Sequence, residues 1–132
     1  MRGVWDCKVR FAETDAAGIV YYPNFYKWMD QATHEMFEAY RLSTRKLLSE
    51  NRGIPLVETH CRFKHPLKFG DRFRVESKVT EVRDKVFTIE HRICKGDILA
   101  AEGYEIRAWI ERFGDKLKAV SIPEDVRKLL TE

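Results

Sequence analysis

Between Pro23 and Tyr40 the apolar residues recur at helical spacing. With Phe25 as origin and about 100° per residue, Trp28, Met29, Ala32, Met36 and Tyr40 fall within about 60° of it, while Lys27, Gln31, His34, Glu35 and Glu38 take the other side. The pattern predicts an amphipathic helix ending near Tyr40. One face is too apolar to stand alone, so the helix must lie against a sheet. Pro23 suits the first helical position, which makes Tyr22 the cap and leaves its neighbouring amides unpaired. Asn24 is the competing cap.

On either side of this helix the period is mostly two. Trp5, Cys7, Val9 and Phe11 alternate with polar residues, predicting a half-buried first strand over Trp5–Phe11. A polar loop, Glu13–Gly18, follows, and Ile19–Tyr22 leads apolar into the helix. Ser43–Asn51 reads as a short second helix capped by Ser43 and closed by Gly53. From Leu56 to Leu67 one face carries Val57, Thr59, Cys61, Phe63 and Leu67, with Pro66 marking an edge or bulge. In Arg72–Val82, Phe73, Val75 and Val79 face inward while Arg72, Arg74, Glu76 and Lys78 point away. Val86–Cys94 aligns Phe87, Ile89, His91 and Ile93. In Ile98–Ile110 the aligned set is Ile98, Ala100, Tyr104, Ile106, Ala108 and Ile110. Gly70-Asp71, Arg83–Lys85 and Lys95-Gly96-Asp97 are the turns between these strands. A hairpin-like segment, Phe113–Val120, precedes a last helical turn after Pro123.

Tight turns make the later strands antiparallel. The expected class is therefore α+β: one long helix against a curved antiparallel sheet, in one domain spanning 1–132. No repeat, linker or low-complexity segment interrupts it.

Composition narrows the function classes. With 44% hydrophobic and 34% charged residues the chain reads as a soluble globular domain. No apolar run approaches the roughly eighteen residues a membrane helix needs, and the N-terminus lacks a secretory h-region. A net charge of +3 does not argue for nucleic acid, though it suits a small polyanionic ligand. Cys7, Cys61 and Cys94 share no short spacing, which predicts reduced thiols in a cytoplasm and no metal site.

Two carboxylates and one turn are the candidate chemistry. Asp15 lies in the loop just before the helix N-terminus, where free amides and the macrodipole favour negative charge. It could attack a carbonyl or activate water there, or simply cap a turn. Asp30 projects at about 140°, on the border between the apolar and solvent faces, as a solvated residue or one meeting a group across an interface. His34 is read as solvent-facing. Residues 62–85 carry an excess of positive charge, and within them Arg83 and Lys85, in a turn, are the better phosphate ligands. Composition and spacing take the function no further than an α+β domain with a carboxylate site.

The stretch ETDAAGIVYYPNFYKWMD, Glu13–Asp30, resembles the opening of the hotdog-fold acyl-CoA thioesterases, in particular the 4-hydroxybenzoyl-CoA thioesterase group. PL-x-F-GD at Pro66–Asp71, EIRAW at Glu105–Trp109 and KAVSIPEDV near the C-terminus extend the likeness over nearly the whole chain. The resemblance implies a hotdog fold, a long central helix wrapped by a sheet of about five strands. It implies homodimers assembled into homotetramers, with sites at the interfaces. Asp15 then matches the catalytic carboxylate and the Tyr22 amide the donor that polarises the thioester carbonyl. Asp30 and Trp28 match substrate-binding positions, Asp30 meeting a hydroxyl on an aryl group through a second chain. Arg83 and Lys85 match the turn that holds the CoA phosphates, although Asp84 stands where the aryl-specific group tends to carry another basic residue.

The implied activity is hydrolysis of a (hydroxy)aryl-CoA to the free acid and CoA, with no cofactor beyond the CoA of the substrate. A short- or medium-chain aliphatic acyl-CoA thioesterase and a non-catalytic acyl-CoA-binding module are the alternatives. A structural adaptor would leave both carboxylates and the basic turn idle.

Overall fold

A computed structural model describes all of residues 1–132. Strand β1 (Arg2–Lys8) leads through a 3-10 turn, Phe11–Glu13, to helix α1 (Pro23–Ala39). A short helix α2 (Thr44–Ser49) and strand β2 (Arg52–Gly53) follow. Then come β3 (Leu56–Phe63), β4 (Arg72–Val82), β5 (Val86–Lys95), β6 (Ile98–Ala108), β7 (Ile110–Phe113), β8 (Lys116–Ala119) and helix α3 (Glu124–Thr131). Five strands form one antiparallel sheet in the order β1-β4-β5-β6-β3, and β2-β7-β8 form a second, smaller one. The fold is the expected α+β hotdog, with α1 lying in the hollow of the five-stranded sheet.

Several element ends differ from the sequence reading. The first strand begins at Arg2 and stops at Lys8, so Val9 is buried but Phe11 opens the 3-10 turn and is exposed. Ser43 does cap α2, accepting the Lys46 N–H at 3.2 Å. Gly53 does not close that helix. Asn51 does, with φ of 58°, and Gly53 pairs with Ile110 in the small sheet.

Helix α1 starts where Pro23 fixes φ, with Tyr22 rather than Asn24 as its cap. Asn24 is buried and instead donates from Nδ2 to the Glu13 carbonyl at 2.9 Å. The buried arc of α1 is wider than the apolar stripe, because Thr33 and Phe37 are as inaccessible as Met29. Two apolar clusters result. Phe25, Trp28, Met29 and Ala32 pack on Val9, Leu67, Phe73, Val75 and Ile93. Met36 and Phe37 pack on Leu42, Leu47, Phe87, Ile89, Trp109, Ile122, Val126 and Leu130.

Strand β6 reverses the expected faces. A bulge at Ile93/Cys94 shifts its register, and Ala101, Gly103, Glu105 and Arg107 face the helix. Tyr104 and Ile106 point away. Gly103 sits so close to β3 that a Cβ there would lie 2.2 Å from the His60 carbonyl oxygen and 3.0 Å from Met29 Sδ. Glu105 and Arg107, 1% and 3% exposed, therefore lie between the two apolar clusters, beside Thr33, Ser77 and His91. A charge alternating with apolar residues ordinarily points outward. Here it points inward because each charged group is paired and hydrogen-bonded.

Candidate active site

The loop before α1 is built on Glu13. Its side chain is 8% exposed and accepts the Arg10 backbone N–H at 2.8 Å and the Trp28 indole N–H at 2.8 Å. Its carbonyl accepts the Tyr21 N–H at 2.8 Å as well as the Asn24 amide. Burial pushes the Glu13 carboxyl up, but the bonds from Arg10 and Trp28 outweigh it and hold the group below its ordinary value. Thr14 and Val20 form an antiparallel bridge. Between them Asp15 donates its N–H to Ile19 O at 2.9 Å and accepts at its carbonyl from Gly18 N–H at 3.0 Å. Gly18 has φ of 79°, which favours glycine.

This tight loop presents the Asp15 carboxylate to solvent. Oδ1 accepts the Ala17 N–H at 2.9 Å in an Asx turn, and Oδ2 accepts nothing within the chain. The bridge and the Tyr21–Glu13 bond hold the loop alongside the start of α1. There Tyr21 N–H and Asn24 N–H are both donated internally, whereas the Tyr22 N–H is not. A groove of about 370 Å³ runs past it, lined chiefly by Ile19, Val20, Tyr22, Phe25, Phe63 and Leu67. Phe63 and Tyr22 meet edge to face, 6.1 Å between ring centroids. An exposed carboxylate in the preceding loop, an unspent amide at a helix N-terminus and an apolar groove thus lie at the same end of α1.

Trp28 does not line this groove. It is 3% exposed, its indole N–H is spent on Glu13, and its ring lies on Phe73 with centroids 4.2 Å apart. Trp28, expected to contact substrate, instead pins α1 to the loop that carries Asp15. Glu13, its acceptor, was not singled out by the sequence reading, although a carboxylate beside a helix whose inner face carries an indole donor is the signal that could have found it.

Asp30 lies two turns along α1 from Tyr22, about 12 Å down the axis. Its carboxylate is half exposed, and within its own chain Arg107 Nη2 donates to Oδ1 at 2.7 Å. His34 Nε2 lies 3.4 Å from the same oxygen and holds its own Nδ1 2.6 Å from Thr44 Oγ1. The contacts from His34 and Arg107 outweigh partial burial and hold the Asp30 carboxyl at about 2.

Arg107 is fixed in turn. Its Nη1 donates to Ile54 O at 2.9 Å, and Nη2 donates to Glu105 Oε2 at 2.8 Å. Glu105 Oε1 also accepts from Thr33 and lies 3.0 Å from His91 Nε2, and His91 Nδ1 is 2.7 Å from Ser77 Oγ. The pairing is satisfied with Ser77 donating to Nδ1 and the Nε2–H donating to Glu105. Burial pushes the Glu105 carboxyl up, yet the hydrogen bonds from His91 and Arg107 and the Arg107 charge bring it to about 2.

Arg83 and Lys85 lie at the β4–β5 turn. Arg83 is paired with Glu81 at 2.9 Å, and Arg127 of α3 donates to the Arg83 and Asp84 carbonyls. The loop carrying Asp15 meets the other end of β4, through Val9–Asp71 and Val20–Leu67 backbone bonds. Eleven residues of strand separate the two ends, roughly 33 Å. One chain therefore does not bring the basic turn to its own Asp15. No group of three or more His, Cys, Asp or Glu is arranged to hold a metal ion, and no helix is long and apolar enough to cross a membrane.

Residues 9–130 match the family model of the thioesterase-like superfamily. A solved gentisyl-coenzyme A thioesterase is 41% identical with a TM-score of 0.87, the match covering 95% of this chain and 99% of that one. The 4-hydroxybenzoyl-CoA thioesterase of Pseudomonas sp. (strain CBS-3) is 29% identical over 130 residues, 92% of each chain. The 1,4-dihydroxy-2-naphthoyl-CoA hydrolase of Prochlorococcus marinus (strain MIT 9515) is 28% identical, covering 92% of this chain and 83% of its own length. Sequence and backbone agree over the loop, the helix and the sheet alike, and the chain belongs to the thioesterase-like superfamily of hotdog-fold thioester hydrolases.

Proposed function

We propose that this thioester hydrolase cleaves a hydroxylated aryl-CoA to the free acid and CoA. The observation that carries the reading is the exposed Asp15 carboxylate, held in an Asx turn of the loop that leads into the unspent Tyr22 N–H. With the thioester carbonyl oxygen on that N–H, the helix dipole and amide stabilise the oxyanion; one such donor is typically worth roughly 3–4 kcal/mol. Asp15 Oδ2 attacks the carbonyl carbon, the C–S bond breaks, and CoA leaves as thiolate. Water then hydrolyses the mixed anhydride. As general base, Asp15 would instead take a proton from water attacking the same carbon.

Three features support an aryl acyl group. The groove beside Tyr22 carries the Phe25 and Phe63 rings. Asp30 offers an anionic acceptor for a hydroxyl. The relatives named above act on gentisyl-, 4-hydroxybenzoyl- and dihydroxynaphthoyl-CoA. Arg83 and Lys85 would hold the nucleotide phosphates of a CoA bound at another subunit, since both lie far from Asp15 of their own chain. That arrangement calls for a dimer at least, and a homotetramer would repeat it. Free thiols at Cys7, Cys61 and Cys94 fit a reducing compartment such as the cytoplasm.

The test is thiol release from 4-hydroxybenzoyl-, 2,5-dihydroxybenzoyl-, benzoyl-, butyryl- and hexanoyl-CoA. Fastest turnover of a hydroxylated aryl ester supports the reading. Fastest turnover of hexanoyl-CoA would make this an aliphatic thioesterase. Tight CoA binding without thiol release would make it a binding module.

A further inference from the structure

Between the two apolar clusters runs a line of polar side chains that the hydrolysis does not itself require. It starts at Ser77 on β4, passes through His91 on β5 and Glu105 on β6, and reaches Arg107; only at Asp30 does it emerge at the surface. A surface ion pair to Asp30 would need none of this. Four donors of Arg107 are assigned: Nε and Nη2 to Glu105, Nη1 to Ile54 O, and Nη2 also to Asp30. The guanidinium has no freedom to swing out and neutralise a ligand, and it stays charged at any working pH. The one half-exposed side chain it bonds is Asp30, at Oδ1. Asp30 Oδ2 accepts no hydrogen bond within the chain.

We propose that Arg107 is a specificity-determining positioning residue, clamping Asp30 from the protein side so that Oδ2 is a fixed, acceptor-only contact for a hydroxyl donor on the acyl group. The inference rests on the reading of Asp30 as an acyl contact. An acceptor-only anion bonds a phenol and gains nothing from an unsubstituted ring. It is also repelled by an ether oxygen or a carboxylate at the same position. Sites built to bond a substrate hydroxyl discriminate strongly against analogues lacking it, because their own polar group is left unpaired. Asp30 is remote from the reacting carbonyl, so its contact is made equally in ground and transition states and shows mainly in KM.

The experiment compares kcat and KM for 4-hydroxybenzoyl-, 3-hydroxybenzoyl-, benzoyl- and 4-methoxybenzoyl-CoA in wild type, Asp30→Asn and Arg107→Lys. Lysine keeps the charge beside Glu105 but loses the fork. The wild type should favour the better hydroxy isomer over benzoyl by about tenfold or more, with methoxy no better than benzoyl. Arg107→Lys should bring that ratio to within about threefold by raising KM for the hydroxy ester alone, leaving benzoyl within about twofold. The double variant Glu105→Gln/Arg107→Gln, neutral throughout, should do the same and serves if the lysine variant does not fold. Equal losses on hydroxy and benzoyl esters, or an unchanged ratio, would show a structural role and overturn the proposal while leaving the aryl-CoA reading standing. A wild type as active on methoxy as on hydroxy ester overturns it without any variant. A wild type that ignores aryl esters and turns over hexanoyl-CoA removes the functional reading and the inference together.

Discussion

Trp28 Nε1 donates to Glu13 Oε2 at 2.8 Å, and this bond joins the buried face of α1 to the loop that carries Asp15. The loop has little apolar anchorage of its own, with residues 15–18 all exposed. Its position is set by what Glu13 holds: Arg10 on one side, Tyr21, Asn24 and Trp28 on the other.

Replacing Trp28 by Phe keeps a ring against Phe73 and removes the indole donor. Glu13 Oε2 then keeps only the Arg10 guanidinium at 3.3 Å. Loss of a hydrogen bond to a buried charged group costs about 1–3 kcal/mol. Trp28→Phe is expected to melt several degrees lower and to lose turnover with KM little changed, since the loop rather than the groove is loosened. Thermal denaturation and steady-state kinetics on one preparation check this; unchanged melting would mean the indole bond contributes nothing.

The Tyr22 amide can be tested by deleting its hydrogen. Tyr22 has φ of −54°, which proline adopts, and its side chain is exposed. Tyr22→Pro should fold, and kcat should fall by about 10²–10³ if the amide is the oxyanion donor. A correctly folded Tyr22→Pro enzyme with wild-type kcat would move that role elsewhere.

Glu105 makes stability depend on acid. Its carboxyl titrates at about 2 in the folded chain against 4.5 ordinarily. A depressed pKa contributes stability that is complete above the unfolded value and lost as pH falls through the folded one. The contribution, on the order of 3 kcal/mol, should disappear between about pH 5 and pH 2, and the Asp30 carboxyl adds to it over a similar range. Melting curves through that window should fall more steeply for wild type than for Glu105→Gln/Arg107→Gln. Parallel slopes would show that the pair is not what titrates.

How far the residues speak for themselves is visible in α1 and β6. The period of 3.6, Pro23 and the alternation in β4 and β5 all report burial of apolar side chains against one partner surface, and they place the helix and most of the sheet. In β6 the same rule fails. Gly103 has no side chain because the His60 carbonyl and Met29 approach closely, and Glu105 and Arg107 are inside because they satisfy each other. A histidine on the inward face of β5 was the available warning, since His91 needs partners that only the next strand and the helix can supply. Position before the helix N-terminus made Asp15 a candidate, and only the resemblance to a family favoured a catalytic carboxylate over a turn cap. The loop's anchor, Glu13, depends on a contact from Trp28, fifteen residues on, whose only trace in the sequence is a carboxylate beside a helix with an indole on its inner face.

Asp15→Asn asks most directly whether Asp15 performs the chemistry. Asparagine keeps an oxygen that can accept the Ala17 N–H, so the loop should hold its shape and melting should change little. Thiol release from the best hydroxybenzoyl-CoA should fall by about 10³-fold or more, with CoA binding retained. An Asp15→Asn enzyme that kept near-normal turnover would show that Asp15 is neither nucleophile nor general base.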